Sequence, residues 1–299
     1  MALNRLILWI GLLAFCVPTL GAEPIMLISE SDTTYYDAFP DALKAANKKP
    51  SAHMTLLDNV SFDGGAATQT IKTNLTLDLN GYSIGDSLTS DRLFSLTIDS
   101  LTLRIFSSRP GGRIHVARQY NGNIHAIYCA RGTLDIDGIT IEGSNVAEDV
   151  EAYSKASVRG IYAGSECTLT MNHTKVSVVG SGIANALHAA GSATSAPTID
   201  VRNCQLTIRA IKSSASVYSL PTLTMDSCEI ESQTELNAYG INLASFHSNL
   251  HRTDTARVTN TRIKVFCIKG ACGIQAKGHL FLAHDSIYAK TTEDNCLAI

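Results

Sequence analysis

Asp78, Asp135 and Asp200 share a local pattern: each is flanked by two apolar residues, Leu77 and Leu79, Leu134 and Ile136, Ile199 and Val201. That is the alternation of a half-buried strand with the acid on its outer face. Carboxylates gathered on such a face can bind a hard cation such as Ca²⁺, and Arg202 and Arg257 stand with them as basic candidates. Thr170 takes the same position between Asp135 and Asp200, which spreads the acids too widely to hold one ion. The five residues stand as candidates for a surface site, with a solvated strand face as the plain alternative.

His247 and His251 would put two imidazoles on one side of a helix. Only Asp254 stands near them as a further ligand, and a polar loop explains the stretch. Cys267 and Cys272 flank a short turn, where a loop disulfide and two free thiols both remain open. Zinc would need two more ligands. No phosphate loop, Ser/His/Asp arrangement or dinucleotide fingerprint occurs. No metal or cofactor is expected, and no catalytic residue is assigned.

A repeat positions these residues. A ten-residue unit carries apolar side chains at relative positions 0, 2, 7 and usually 9, with a small or polar residue at position 5. Leu169, Met171, Val176 and Val178 fill it around Thr174; Ile199, Val201, Leu206 and Ile208 fill it around Cys204. Further copies start at Leu77, Leu134, Leu223, Ala256 and Leu280. Each reads as strand, bend, strand, and a third short strand precedes most copies, as in Ala126-Ile127-Tyr128 and Gly160-Ile161-Tyr162. Three strands per copy, repeated, predict an all-β fold: a single-stranded right-handed parallel β-helix over residues 53–299.

Stacked copies place Thr174, Cys204, Cys228 and Thr261 in an inward ladder, with Cys204 and Cys228 favoured as stacked buried thiols over a disulfide. Thr76, Thr133, Thr168, Thr198, Thr222 and Thr255 predict an outward threonine ladder. The longer copies must loop out, at residues 144–158 and 244–255, where solenoids present binding surfaces.

The ends differ from the repeat. Arg5 followed by the apolar run Leu6 to Val17 and the small pair Gly21-Ala22 predicts a secretory signal peptide over residues 1–22. Seven of the eight cysteines follow it, so at least one thiol is free or pairs between chains. Residues 23–52 form an N-terminal segment in which Phe39, Leu43 and Ala46 mark a short amphipathic helix capping the first coil. Asn295 to Ile299 looks like the opening strand of one more coil, an edge through which copies can self-associate.

Composition sets the limits. The chain is 45% hydrophobic and 17% charged, with a net charge of -3. This excludes a disordered polyelectrolyte, a basic nucleic-acid binder and a multi-span membrane protein, and no transmembrane segment is expected once the signal is removed. Low charge also argues against a strongly basic groove gripping a charged polysaccharide.

The stretch Leu56-Leu57-Asp58-Asn59-Val60, with Leu75-Thr76-Leu77-Asp78-Leu79-Asn80-Gly81, resembles the opening coils of secreted bacterial right-handed parallel β-helix proteins with a pectate-lyase-like (pectin lyase-like) fold. The resemblance implies the fold and export to the periplasm, cell surface or medium. Its members include polysaccharide lyases, glycoside hydrolases, adhesins and surface proteins, so function follows from it only by analogy. Likeness to the polygalacturonase branch would require an Asp-Asp pair and a Gly-His-Gly turn beside an Arg-Ile-Lys strand. Arg262-Ile263-Lys264 is present without the other two, and hydrolysis needs two carboxyl groups. Glu229 and Glu231, holding the same outward positions one coil earlier, make a charge ladder with Arg262 and Lys264 instead. The function expected is a non-catalytic, adhesin-like module binding a polysaccharide or cell-surface component; the alternative is a lyase or hydrolase acting on a polymer in a groove.

Overall fold

Apolar residues two apart, interrupted by a residue able to adopt left-handed backbone, build strand, bend, strand. The structure, a computed structural model, describes residues 24–30, 32–62, 64–146, 156–191, 195–219, 222–243, 255–276, 279–292 and 296–297. They are nearly all β, in three ladders of parallel strands. The first ladder takes Ser51–Leu56, Asn74–Asp78, Thr102–Phe106, the later parts of Asn123–Asp137 and Ser157–Asn172, then Thr198–Arg202, Thr222–Asp226, Thr255–Thr259 and His279–Ala283. The second takes Ser83–Ser87, Arg113–Arg118, Thr140–Asn145, Lys175–Gly180, Gln205–Ala210, Glu229–Thr234, Arg262–Cys267 and Ser286–Thr291. The third takes Gln69–Ile71, Arg92–Leu96, the earlier parts of the two long strands, Ile183–Ala190, Ser213–Ser219, Asn237–Leu243, Gly270–Ala276 and Cys296–Leu297. From Asn123 onward the chain visits the third, first and second ladders in turn.

The bend between first and second ladders has a repeated cause. His173, Asn203, Ser227 and Asn260 have φ of 45°, 52°, 54° and 51°, the left-handed region that short polar residues tolerate best after glycine. Each donates its N–H to a carbonyl of the following copy, that of Arg202, Asp226, Thr259 or Ala283, at 2.9–3.2 Å. The next residue then points inward. Thr174, Cys204, Cys228 and Thr261 are all buried, and each side chain donates to the carbonyl two residues back, at 2.8, 2.9, 3.2 and 2.9 Å. The expected inward ladder is present, and Cys204 and Cys228 are free, buried thiols. Their mutual hydrogen bond, then burial, pushes the Cys204 thiol up.

Three features depart from the expected pattern. First, a coil made of Thr102–Phe106 and Arg113–Arg118 lies between those starting at 77 and 134. Its apolar pairs, Leu103 with Ile105 and Ile114 with Val116, escaped the template because residues 107–112 widen the bend. Second, Leu75 and Leu77, not Leu77 and Leu79, pair with Leu103 and Ile105, and through them with Leu134 and Ile136. Thr102 therefore joins Thr133, Thr168, Thr198 and Thr222 in the threonine ladder; Thr76 sits one column over, beside Arg104. Third, Ile25–Ser29 and Asp32–Tyr36 form an antiparallel hairpin, turned through Glu30 at φ 56°, that closes the edge of Ser51–Leu56.

The expected helix runs Phe39–Ala46 with Phe39, Ala42, Leu43 and Ala46 buried. Pro40 supplies the fixed φ of a first helical turn. Phe39 meets Phe62 and Phe94 edge to face, with ring centroids 6.4 and 5.9 Å apart. Among the described residues no helix is long and apolar enough to cross a membrane. Residues 1–22, the predicted signal peptide, and most of both predicted loops lie outside the described residues.

Candidate binding groove

The five acidic and basic candidates do not converge. On the outer face of the first ladder one column reads Arg104, Asp135, Thr170, Asp200, Thr224, Arg257. Asp135 pairs with Arg104 at 3.4 Å, and Asp200 is gripped by Arg202 of its own strand at 3.0 and 2.9 Å. Arg257 is exposed beside Thr224 and Phe281. Asp78 belongs to a different column, between Thr55 and Phe106. There it is 7% exposed and accepts the amides of Asn80 and Ser108 at 2.7 and 2.9 Å, as a bend fastener. Reading Asp78 as a partner of Asp135 fails because the register is two residues off. Among the described residues no group of three His, Cys, Asp or Glu side chains is placed to hold a metal.

On the second ladder Glu229 pairs in register with Arg262 and Glu231 with Lys264, the expected charge ladder. The Arg262 and Glu229 charges are 3.9 Å apart. Cys267 and Cys272 are both free. His247 and His251 lie outside the described residues.

A different face gathers the chemistry. In the third ladder the pairing skips Ala126, Gly160, Ala186, Gly240 and Gly273 in successive strands, and Ser216 likewise. The strand kinks at this small residue, which faces the core: a Cβ added to Gly160 would stand 2.6 Å from Val176 Cγ1. Two inward residues in a row draw together the outward residues on either side. His125 and Tyr128 accordingly meet edge to face at 5.5 Å.

Stacking copies turns this local kink into a groove lined by two columns. One holds Ser95, Tyr128, Tyr162, His188, Tyr218, Asn242 and Gln275. Its rings are stacked, with Tyr128 and Tyr162 centroids 4.5 Å apart and 9° from parallel, Tyr162 and His188 at 5.4 Å, and His188 and Tyr218 at 5.2 Å. Arg92 covers the outer face of Tyr128 at 3.9 Å. Each ring thus hides its neighbour's face, and the column offers a ligand its edges, phenol hydroxyls and imidazole nitrogens. The second column holds Arg92, His125, Arg159 and Asn185. Asn185 is 2% exposed and donates to the Ala215 carbonyl at 3.1 Å.

The groove shapes its own ionisation. Asp91 and Arg92 form an ion pair, which lowers the aspartate and raises the arginine. Burial, reinforced by Arg159 and Arg92, pulls the His125 imidazole down to about 3. Burial and Arg159 hold His188 well below its ordinary range. Both rings are therefore neutral at physiological pH. Burial raises Tyr162 and Tyr218, which remain phenols.

The sequence held a signal for this face. A small residue, an aliphatic one and a ring or amide recur as Ala126-Ile127-Tyr128, Gly160-Ile161-Tyr162, Ala186-Leu187-His188, Ser216-Val217-Tyr218, Gly240-Ile241-Asn242 and Gly273-Ile274-Gln275. In comparisons with family models, curated proteins and solved structures, nothing matches this chain.

Proposed function

We propose that this chain is a non-catalytic binding module, a right-handed parallel β-helix closed by its three ladders, exported to the cell surface or beyond, that lays a glycan along the third-ladder groove. The observation that carries it is the unbroken column of half-buried rings Tyr128, Tyr162, His188 and Tyr218, one polar edge per coil. Coils repeat about every 4.8 Å, so the column presents hydrogen-bonding groups at a regular interval, which suits a polymer of hydroxyl-bearing units better than a compact ligand. The resemblance of residues 56–60 and 75–81 to secreted β-helix proteins supports the fold and the export. A lyase or hydrolase is the less favoured alternative: Asp135 and Asp200 are each engaged with an arginine, and Asp91 at the groove is held by Arg92.

The test is a glycan array probed with the wild-type protein and Tyr162→Ala, followed by assays for new reducing ends and unsaturated sugars on every glycan bound. Wild type is expected to retain one glycan class without cleaving it, and Tyr162→Ala to bind it about tenfold more weakly, having lost a ring at the centre of the stack. Cleavage of the bound glycan overturns the non-catalytic reading. Equal binding by both proteins overturns the groove.

A further inference from the structure

A cavity of about 590 Å³ lies on the outer side of the first ladder, on coils that precede Asp135. Local structure builds it. Ser51–Leu56, Asn74–Asp78 and Thr102–Phe106 start level with one another, because Ser51 pairs with Asn74 and the Asn74 carboxamide oxygen accepts the Thr102 N–H at 2.9 Å. Residues at the starts of these strands floor the cavity. The hairpin that closes the edge of Ser51–Leu56 bounds one end with Ile28, Ser29 and the turn residue Glu30, and Ser100, in the turn before Thr102, bounds the other.

The lining is polar and mixed in kind. Ser29, Ser51, Thr76, Ser100 and Thr102 bring hydroxyls, none of which hydrogen-bonds another described residue. Ser29 is the most informative of them, because it is only 6% exposed and its hydroxyl still has no partner among the described residues. Asn74, its oxygen spent on Thr102, keeps an NH₂ to donate. His53 adds an imidazole and Glu30 the single carboxylate, while Ile28 offers an exposed apolar side chain.

This chemistry narrows the ligand. Among the described residues no lysine or arginine lines the cavity, so an anion finds no counter-charge and meets Glu30. A metal ion finds one carboxylate, and among the described residues no three His, Cys, Asp or Glu side chains gather to hold it. The lining matches a neutral molecule that donates and accepts at several points and carries an apolar side. A pyranose has those properties: its hydroxyls exchange hydrogen bonds with the serines and threonines, a charged carboxylate accepts from them most strongly, and its C–H face rests on Ile28. The volume lies within the roughly 300–1,000 Å³ of small-molecule sites.

We infer that this cavity is a second saccharide site, separate from the third-ladder groove, which takes one neutral sugar with Glu30 as its charged acceptor.

The experiment is calorimetric titration of the full chain with glucose, galactose, mannose, N-acetylglucosamine and sodium glucuronate, repeated on Glu30→Gln, Ser51→Tyr and Tyr162→Ala. At least one neutral sugar is expected to bind wild type saturably, and more tightly than glucuronate. Glu30→Gln, which trades a charged acceptor for a neutral one, should weaken that binding about tenfold. Ser51→Tyr, which sets a ring over the cavity from an exposed strand start, should abolish it, and Tyr162→Ala should bind the sugar as wild type does. The inference falls if no neutral sugar binds, if glucuronate binds best, or if either cavity variant binds as tightly as wild type. A sugar lost in Tyr162→Ala and kept in Glu30→Gln belongs to the groove and also overturns it. Should the melting curve show Ser51→Tyr unfolded, Glu30→Gln decides alone. The groove stands or falls separately, on whether Tyr162→Ala weakens the array-selected glycan.

Discussion

Gly240→Ala is expected to destabilise the fold by about 3 kcal/mol, the upper part of the range for overpacking a filled core. A Cβ at Gly240 would overlap Ile263 Cγ2 and stand 2.5 Å from the Gly273 carbonyl oxygen. The first atom can shift only by moving Ile263, which is fully buried in the second ladder. The second is backbone, fixed by the strand of the next coil. Alanine is at home at the same kink in Ala126 and Ala186, so the cost belongs to this coil's packing, not to the kink itself. Urea unfolding of the two proteins measures it. A change below about 0.5 kcal/mol, the usual size for a surface substitution, would mean that the kink does not press against the core as described.

Acid should weaken the protein through His125 by a comparable amount. The imidazole takes its proton near 6.5 in an unfolded chain but only at about 3 in the folded one. Between those values the unfolded state binds more protons, so stability falls as pH drops below about 6.5 and is fully recovered above it. At pH 4 the His125 contribution comes to about 3 kcal/mol relative to pH 8. His188, displaced in the same direction, adds to the loss. His125→Phe keeps a ring against Tyr128 and Tyr162 while removing the titration. Its unfolding free energy should therefore fall less than wild type's between pH 8 and pH 4, by about 3 kcal/mol. Parallel losses in the two proteins would show that His125 is not held neutral by its surroundings.

The part of this fold that was legible in the sequence is the part that apolar spacing determines. Leu169, Met171, Val176 and Val178 announce two strands and a bend because inward positions tolerate little but aliphatic side chains, and every copy must repeat them. Register was harder to read. Leu75, Leu77 and Leu79 satisfy the alternation in two ways, and only the strand pairing with Leu103 and Ile105 chooses between them. That ambiguity carried Asp78 into the wrong column.

The groove was obscured for another reason. Tyr128, Tyr162, His188 and Tyr218 are separated by 34, 26 and 30 residues, because the loops between coils differ in length, so no fixed period aligns them. What recurs is the kink beside each, and a kink is a statement about backbone pairing: Ala126 and Gly160 read as ordinary small residues until the ladder is seen to skip them. Arg159 and His125 carried no motif at all. Their place on the third-ladder face comes from strand pairing, which composition and periodicity do not report.

The central claim is that ligand binds along the third ladder and not on the acidic face of the first. It is tested most directly by measuring the affinity of the array-selected glycan for wild type, Tyr162→Ala and Asp200→Ala under one condition. The groove account predicts roughly tenfold weaker binding for Tyr162→Ala and unchanged binding for Asp200→Ala, whose carboxylate serves Arg202 on an exposed strand. Loss of affinity in Asp200→Ala with Tyr162→Ala unaffected would contradict it and return the site to the first ladder.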